Sequence, residues 1–195
     1  MWDQRYAEPG YAYGTEPNDF LVSVAERIPA GPVLCLAEGE GRNAVFLAGR
    51  GHAVTAVDAS DVGLRKAAAL AAERGVSLTT RVSDLAHFAI EPSVWAGIVS
   101  IWCHLPAALR ERVHRGIVSG LRPGGVLILE AYTPAQLELG TGGPKLPEML
   151  YSLELAKRDF GELEWLVALE TEREVHEGKY HSGRSAVVQL VARKP

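Results

Sequence analysis

Val33-Leu34-Cys35-Leu36-Ala37-Glu38-Gly39-Glu40-Gly41-Arg42-Asn43-Ala44-Val45-Phe46-Leu47-Ala48, followed shortly by Ala53-Val54-Thr55-Ala56-Val57-Asp58, is the stretch that decides the fold. Residues 33–37 form an apolar run of strand length. Gly39 and Gly41 make a loop, residues 43–48 have a helical pattern that stops at Gly51, and a second strand ends in Asp58. That order is the opening βαβ unit of a nucleotide-binding α/β fold. The glycines let backbone approach a ligand at the helix N-terminus, and the acid after the second strand meets a ribose.

Which nucleotide fits depends on charge. Gly39-x-Gly41-x-x-Ala44 satisfies the dinucleotide pattern, and Asp58 stands at about the right distance for the ribose of NAD. Glycine-rich turns between strand and helix also occur with no ligand at all. Glu38 and Glu40 change the balance, because a pyrophosphate seeks bare amides and would be repelled by two carboxylates. S-adenosylmethionine carries a sulfonium and an ammonium group, and such a cation is attracted by the same acids. The expected cofactor is therefore S-adenosylmethionine. Two alternatives stay open: an NAD(P)-dependent oxidoreductase, and a non-catalytic S-adenosylmethionine-binding sensor or partner protein.

Leu36-Ala37-Glu38-Gly39-Glu40-Gly41-Arg42-Asn43 resembles motif I of the class I S-adenosylmethionine-dependent methyltransferases. Leu121-Arg122-Pro123-Gly124-Gly125-Val126-Leu127 is similar to that family's turn after the fourth strand and its helix. Trp2-Asp3-x-Arg5-Tyr6, Tyr13-Gly14, Gly142-Gly143-Pro144 and the segment Glu177-Gly178 to His181-Ser182-Gly183 resemble the small bacterial tellurite-resistance and thiopurine-type branch. The resemblance implies a doubly wound, Rossmann-like, seven-stranded and mostly parallel sheet with an antiparallel C-terminal hairpin. The chain's length is that of one domain, residues 1–195, and the aromatics of residues 1–30, ahead of a helix, read equally as a lid over the ligand or as rings packed on the domain. The cofactor contacts that the resemblance implies are Glu38, Gly39, Gly41, Arg42, Asp58, Ala59, Asp84, Leu85 and Trp102, with Asp84 on the adenine side. From the residues alone, Asp84 serves equally well as the cap of a short helix at Leu85.

The rest of the pattern agrees with an α/β chain. Asn18 can cap a helix whose apolar stripe is Phe20, Leu21, Val24, Ala25 and Ile28. Residues 76–82 have a third-strand pattern, residues 96–101 a buried fourth strand, residues 106–121 a helix and residues 126–129 a fifth strand. Residues 147–160 are helical in pattern, and residues 163–175 and 186–192 are expected as two strands joined by residues 176–184. Glu38, Asp58, Asp84, Trp102 to His104 and Glu130 to Tyr132 all end strands on one edge, where such sheets bind ligands.

Bulk properties narrow the partners. The chain has 195 residues, 47% of them apolar, and a net charge of −4. No basic block offers nucleic acid a non-specific grip. No apolar run reaches the roughly 20 residues of a membrane span, and the N-terminal residues lack a signal-peptide core. Two cysteines make no disulfide framework and no zinc spacing. The expectation is a cytoplasmic protein, monomer or homodimer, acting on a small molecule, with no metal. His104, His181 and Arg184 are the candidate catalytic groups: His104 as a base or anion holder, His181 and Arg184 as cationic donors for a thiolate or a chalcogen oxyanion. The expected reaction is methyl transfer to such a small soft nucleophile by in-line displacement.

Overall fold

The computed structural model describes residues 2–195. Seven strands form one sheet in the order β3-β2-β1-β4-β5-β7-β6. They are β1 (Pro32–Leu36), β2 (Ala53–Asp58), β3 (Thr79–Val82), β4 (Trp95–Ile101), β5 (Leu121–Tyr132), β6 (Glu164–Glu177) and β7 (His181–Arg193). The first five pair in parallel; β7 lies antiparallel to both β5 and β6. The helices are α1 (Trp2–Tyr6), α2 (Asp19–Val24), α3 (Arg42–Gly49), α4 (Asp61–Glu73), α5 (Ala107–Gly120), α6 (Gln136–Leu139) and α7 (Leu153–Asp159). The strand order reverses between β1 and β4, so a crevice opens beyond their C-terminal ends.

Alternation along β1 feeds two cores. Leu34 and Leu36 point to the face packed by Ile117 of α5 and Phe160. Val33 and Cys35 point to the face packed by Phe20 and Leu21 of α2 and Leu47 of α3. Both layers are needed because a central parallel strand is buried on its two faces. Asn18 caps α2 as expected, its side chain accepting from the Leu21 amide.

Four elements depart from the sequence reading. The third strand is shorter, and all four of its residues are exposed because it is the sheet's edge; Val76 and Leu78 pack instead against Val45, Leu70 and Ala71. The helix expected over 147–160 is interrupted: a 3-10 turn at Pro147–Met149 is followed by the buried pair Leu150 and Tyr151, and Ser152 caps a new helix. The tail hairpin is longer, since Glu177 pairs directly with His181 and only Gly178, Lys179 and Tyr180 form the turn. The N-terminal aromatics sit partly on a short helix, α1, and not in a loop alone.

Gly41 sets the distance between α3 and α4. It precedes α3 with φ +89°, and a Cβ there would stand 2.4 Å from the Ala67 Cβ and 2.7 Å from its Cα. Gly41→Ala therefore combines a left-handed backbone penalty with overpacking against helix backbone, a destabilisation of roughly 2–5 kcal/mol. Thermal unfolding should show a clearly lowered midpoint. A midpoint equal to wild type would mean that α4 can slide away at little cost.

Candidate active site

One cavity of about 640 Å³ lies at the C-terminal edge of the sheet. Its floor is made by the ends of the four strands β1 to β4: Ala37 and Glu38, Asp58 and Ala59, Asp84 and Leu85, and Ile101 to Leu105. The chain turns sharply there. Ala37 and Trp102, just past β1 and β4, take positive φ values of 51° and 57°, uncommon for residues other than glycine. Trp102 is fixed by its amide, which donates to the Glu130 carbonyl.

The carboxylates divide their work. Glu38 lines the cavity while Oε1 accepts from the Ala44 amide at 2.7 Å, capping the first turn of α3. Burial pushes its pKa up to about 7. Asp58 is 7% exposed; Oδ2 accepts from the Gly39 amide and Oδ1 from the Ser60 amide, both at 2.8 Å. Burial raises its pKa, and those amides act against the rise. Asp84 accepts from the Ala86 amide through Oδ1 and also faces the cavity, so capping and wall are compatible roles for it. Glu40 is not a bare charge on the loop. It takes the Ala12 amide on one oxygen and the Lys66 ammonium on the other, which ties the N-terminal segment to α4.

Gly39 is needed for protein packing. A Cβ on it would stand 2.5 Å from the Tyr6 hydroxyl. Arg42 reaches across to Glu177, Nη2 to Oε2 at 2.6 Å.

The far wall is aromatic. Trp2, Tyr6 and Tyr13 from the N-terminal segment meet Trp102, Tyr180 and His181. Trp102 stacks on Tyr132 at 4.3 Å, and His181 lies 4.7 Å from Tyr13 and 5.2 Å from Trp102, ring centre to ring centre. Arg5 lies over the rings of Trp2 and Tyr180 and donates to the Tyr13 hydroxyl. Aromatic planes and a stacked guanidinium make a dry wall suited to a flat ligand.

The three candidate catalytic groups fare differently. His104 lines the cavity, but Nδ1 donates to the Met149 carbonyl at 2.8 Å and Nε2 accepts from the Tyr132 amide at 3.3 Å. Burial lowers its pKa to about 4, so it is neutral and both nitrogens are committed to backbone. Its work is to join the Met149 segment to the end of β5. Arg184 is placed elsewhere. It is exposed and pairs with Glu172 on the neighbouring strand, outside the cavity. His181 does line the cavity. Burial lowers its pKa, with Glu177 acting against the fall, so it too is neutral near pH 7. The sequence reading missed Arg5, Tyr6, Met149, Tyr180 and the mate of His181, Glu177. Their signal was present in the Trp2-to-Tyr6 string and the Glu177-Gly178 hairpin, but their convergence was not.

Three carboxylates on the floor, with Arg42 already neutralised by Glu177, suit a cationic adenosyl ligand and disfavour a pyrophosphate. Among the described residues, no group of His, Cys, Asp and Glu could hold a metal ion, and no helix is long and apolar enough to cross a membrane.

Known proteins agree with this geometry. Residues 33–125 match the family model "Methyltransferase domain". The chain is 28% identical over 145 residues to 2-heptyl-1-hydroxyquinolin-4(1H)-one methyltransferase of Mycobacteroides abscessus, a match covering 73% of this chain and 64% of that protein, a little under two thirds of its length. Among solved structures, N-methyltransferase NodS from Bradyrhizobium japonicum in complex with S-adenosyl-L-homocysteine superposes with a TM-score of 0.75 at 14% identity, covering 100% of this chain and 96% of that one. TehB from Haemophilus influenzae gives 0.75 at 20% identity, covering 91% and 62%. At those identities the two structures speak for the fold.

Proposed function

We propose that this chain, which carries a class I S-adenosylmethionine-dependent methyltransferase domain, methylates a small, flat acceptor bearing an ionisable hydroxyl on or beside an aromatic ring. The observation that carries the reading is the division of one cavity into an acidic floor and an aromatic wall. S-adenosylmethionine, when bound, supplies a methyl carbon already activated by its sulfonium. Asp58, Asp84 and Glu38 would hold the adenosyl and amino acid parts. Trp102, Tyr13, Tyr180 and Leu105 would orient the acceptor and exclude water, and most of the rate enhancement is expected from such positioning.

A thiol or a chalcogen oxyanion, the acceptor expected from sequence, finds less support. Arg184 lies elsewhere, the histidines are neutral, and Arg42 is spent on Glu177. The relative from Mycobacteroides abscessus is named for an N-hydroxylated quinolone, the kind of flat, weakly acidic molecule this wall would accept. Cys35 and Cys103 are both buried and free, which suits a cytoplasmic setting.

The test has two parts. Calorimetry should show binding of S-adenosylmethionine and S-adenosylhomocysteine and no heat with NAD or NADP. Release of S-adenosylhomocysteine should then be screened with N-hydroxy heterocycles, phenols, thiols and selenite. Turnover confined to thiols or selenite would overturn the acceptor class, and comparable affinity for NAD would overturn the cofactor. Binding without turnover on every class would leave a sensor.

A further inference from the structure

His181 is a titratable side chain on the cavity wall whose ring faces a buried carboxylate. Glu177 and His181 are register partners at the tip of the β6–β7 hairpin, so the three-residue turn fixes their separation. Nδ1 of His181 lies 3.6 Å from Oε2 of Glu177 and is buried with no hydrogen-bond partner. An orphaned buried nitrogen is costly unless a short movement closes its bond, and Glu177 is the acceptor it faces. Catalytic hydrogen bonds are commonly long before ligand binds and tighten afterwards.

Glu177 is itself immobile. Oε2 takes Nη2 of Arg42 and Nε1 of Trp102, each at 2.6 Å, and Oε1 takes Nδ2 of Asn18 at 2.8 Å. Against the effect of burial, the His181 ring, the Arg42 guanidinium and the Asn18 amide hold its carboxyl at a pKa of about 2. An ionised carboxylate opposite Nδ1 places the ring proton there, which leaves the lone pair on Nε2 at the far side of the ring. His181 lines the cavity with its ring beside Tyr13 and Trp102, so Nε2 is the nitrogen left for a ligand.

We propose that His181 is the general base of the transfer and Glu177 its positioning residue, so that the substrates of this site are neutral weak acids and not preformed anions. This rests on the methyl-transfer reading above. The acceptor's O–H proton passes to Nε2 as its oxygen bonds the methyl carbon. The methyl–sulfur bond breaks with its electron pair staying on sulfur, giving S-adenosylhomocysteine. The imidazolium so formed faces Glu177, with the rings of Tyr13, Trp102 and Tyr132 around it, and returns its proton to solvent. The other charged and titratable groups around the ring are Arg42, Arg5 and His104.

A series of substituted phenols of graded acidity tests this. For phenols that are neutral at the assay pH, His181→Gln should lower kcat/KM by roughly 100-fold or more. For a nitrophenol already ionised it should lower it less than fivefold, so the rate should depend far more steeply on acceptor acidity in the variant. Glu177→Gln should fall between the two. A second readout is the pH profile: with a neutral phenol, wild-type kcat/KM should fall as pH drops through the His181 pKa, and that acid limb should be absent in His181→Gln. A uniform loss along the series, with the acid limb retained in the variant, overturns the base and leaves methyl transfer standing. Failure of the wild type to methylate any phenol or N-hydroxy heterocycle, despite binding S-adenosylmethionine, overturns both readings.

Discussion

Asp58→Ala should weaken S-adenosylmethionine binding tenfold or more, measured by calorimetry, while the protein still unfolds cooperatively. Both oxygens of Asp58 hold backbone amides, of Gly39 and Ser60, and each keeps a lone pair for ligand hydroxyls. Hydrogen bonds to a charged group contribute on the order of 1.5–3 kcal/mol, which converts to one to two decades of affinity. The alanine also releases the glycine loop from the end of β2, so its effect reaches Glu38 through the loop. Asp58→Asn, which keeps one acceptor oxygen, should lose less. Unchanged affinity in the alanine variant would place the ribose elsewhere.

Glu177→Ala should be the most damaging single change for stability. It leaves Arg42, 7% exposed, without its carboxylate, and it removes the acceptor for Trp102 and one acceptor for Asn18. Breaking a buried pair from one side costs about 3–5 kcal/mol. For a domain of this size that is on the order of 10 °C in Tm. The pH dependence has a definite sign. The folded pKa of about 2 lies below the ordinary value of 4.5, so Glu177 stabilises fully above that value and loses its contribution as pH falls through about 2. The alanine variant should therefore lose less stability than wild type on acidification across that window. Parallel acid curves would show that Arg42 finds another partner; Glu130 belongs to the same network, bonded to Asn18, Arg173 and Gln189.

The parts of this molecule that were legible in sequence are those set by short-range rules. β1, the glycine loop and Asp58 follow from apolar runs, turn residues and strand length, and they converge because parallel strands all end on one edge. The illegible parts depend on atoms far apart in the chain. His104 is neutralised as a base by the backbone of Met149 and Tyr132, and no local pattern announces a carbonyl 45 residues away. Glu40 is claimed by the amide of Ala12, so a charge that sequence assigns to the ligand goes to the N-terminal segment. The hairpin was misread because β6 is an edge strand. The misread ends, His176 and Glu177 on one strand and His181 to Ser185 on the other, carry polar residues and Gly183, without the hydrophobic alternation that marks a half-buried strand.

The acceptor wall is also a seam between the two ends of the chain. Lys179 donates its amide to the Ala12 carbonyl, and Tyr180 reaches Glu8, 172 residues away. During synthesis at roughly 5–20 residues per second, the aromatic segment leaves the ribosome on the order of ten to thirty seconds before its mate exists. The strands that carry Glu38, Asp58 and Asp84 are complete well within that interval. A nascent chain would thus hold its cofactor floor first and its substrate wall last. Until the hairpin arrives, Tyr13 lacks Tyr180 and His181, the rings it packs on, which makes its segment a stretch a chaperone would meet during biogenesis.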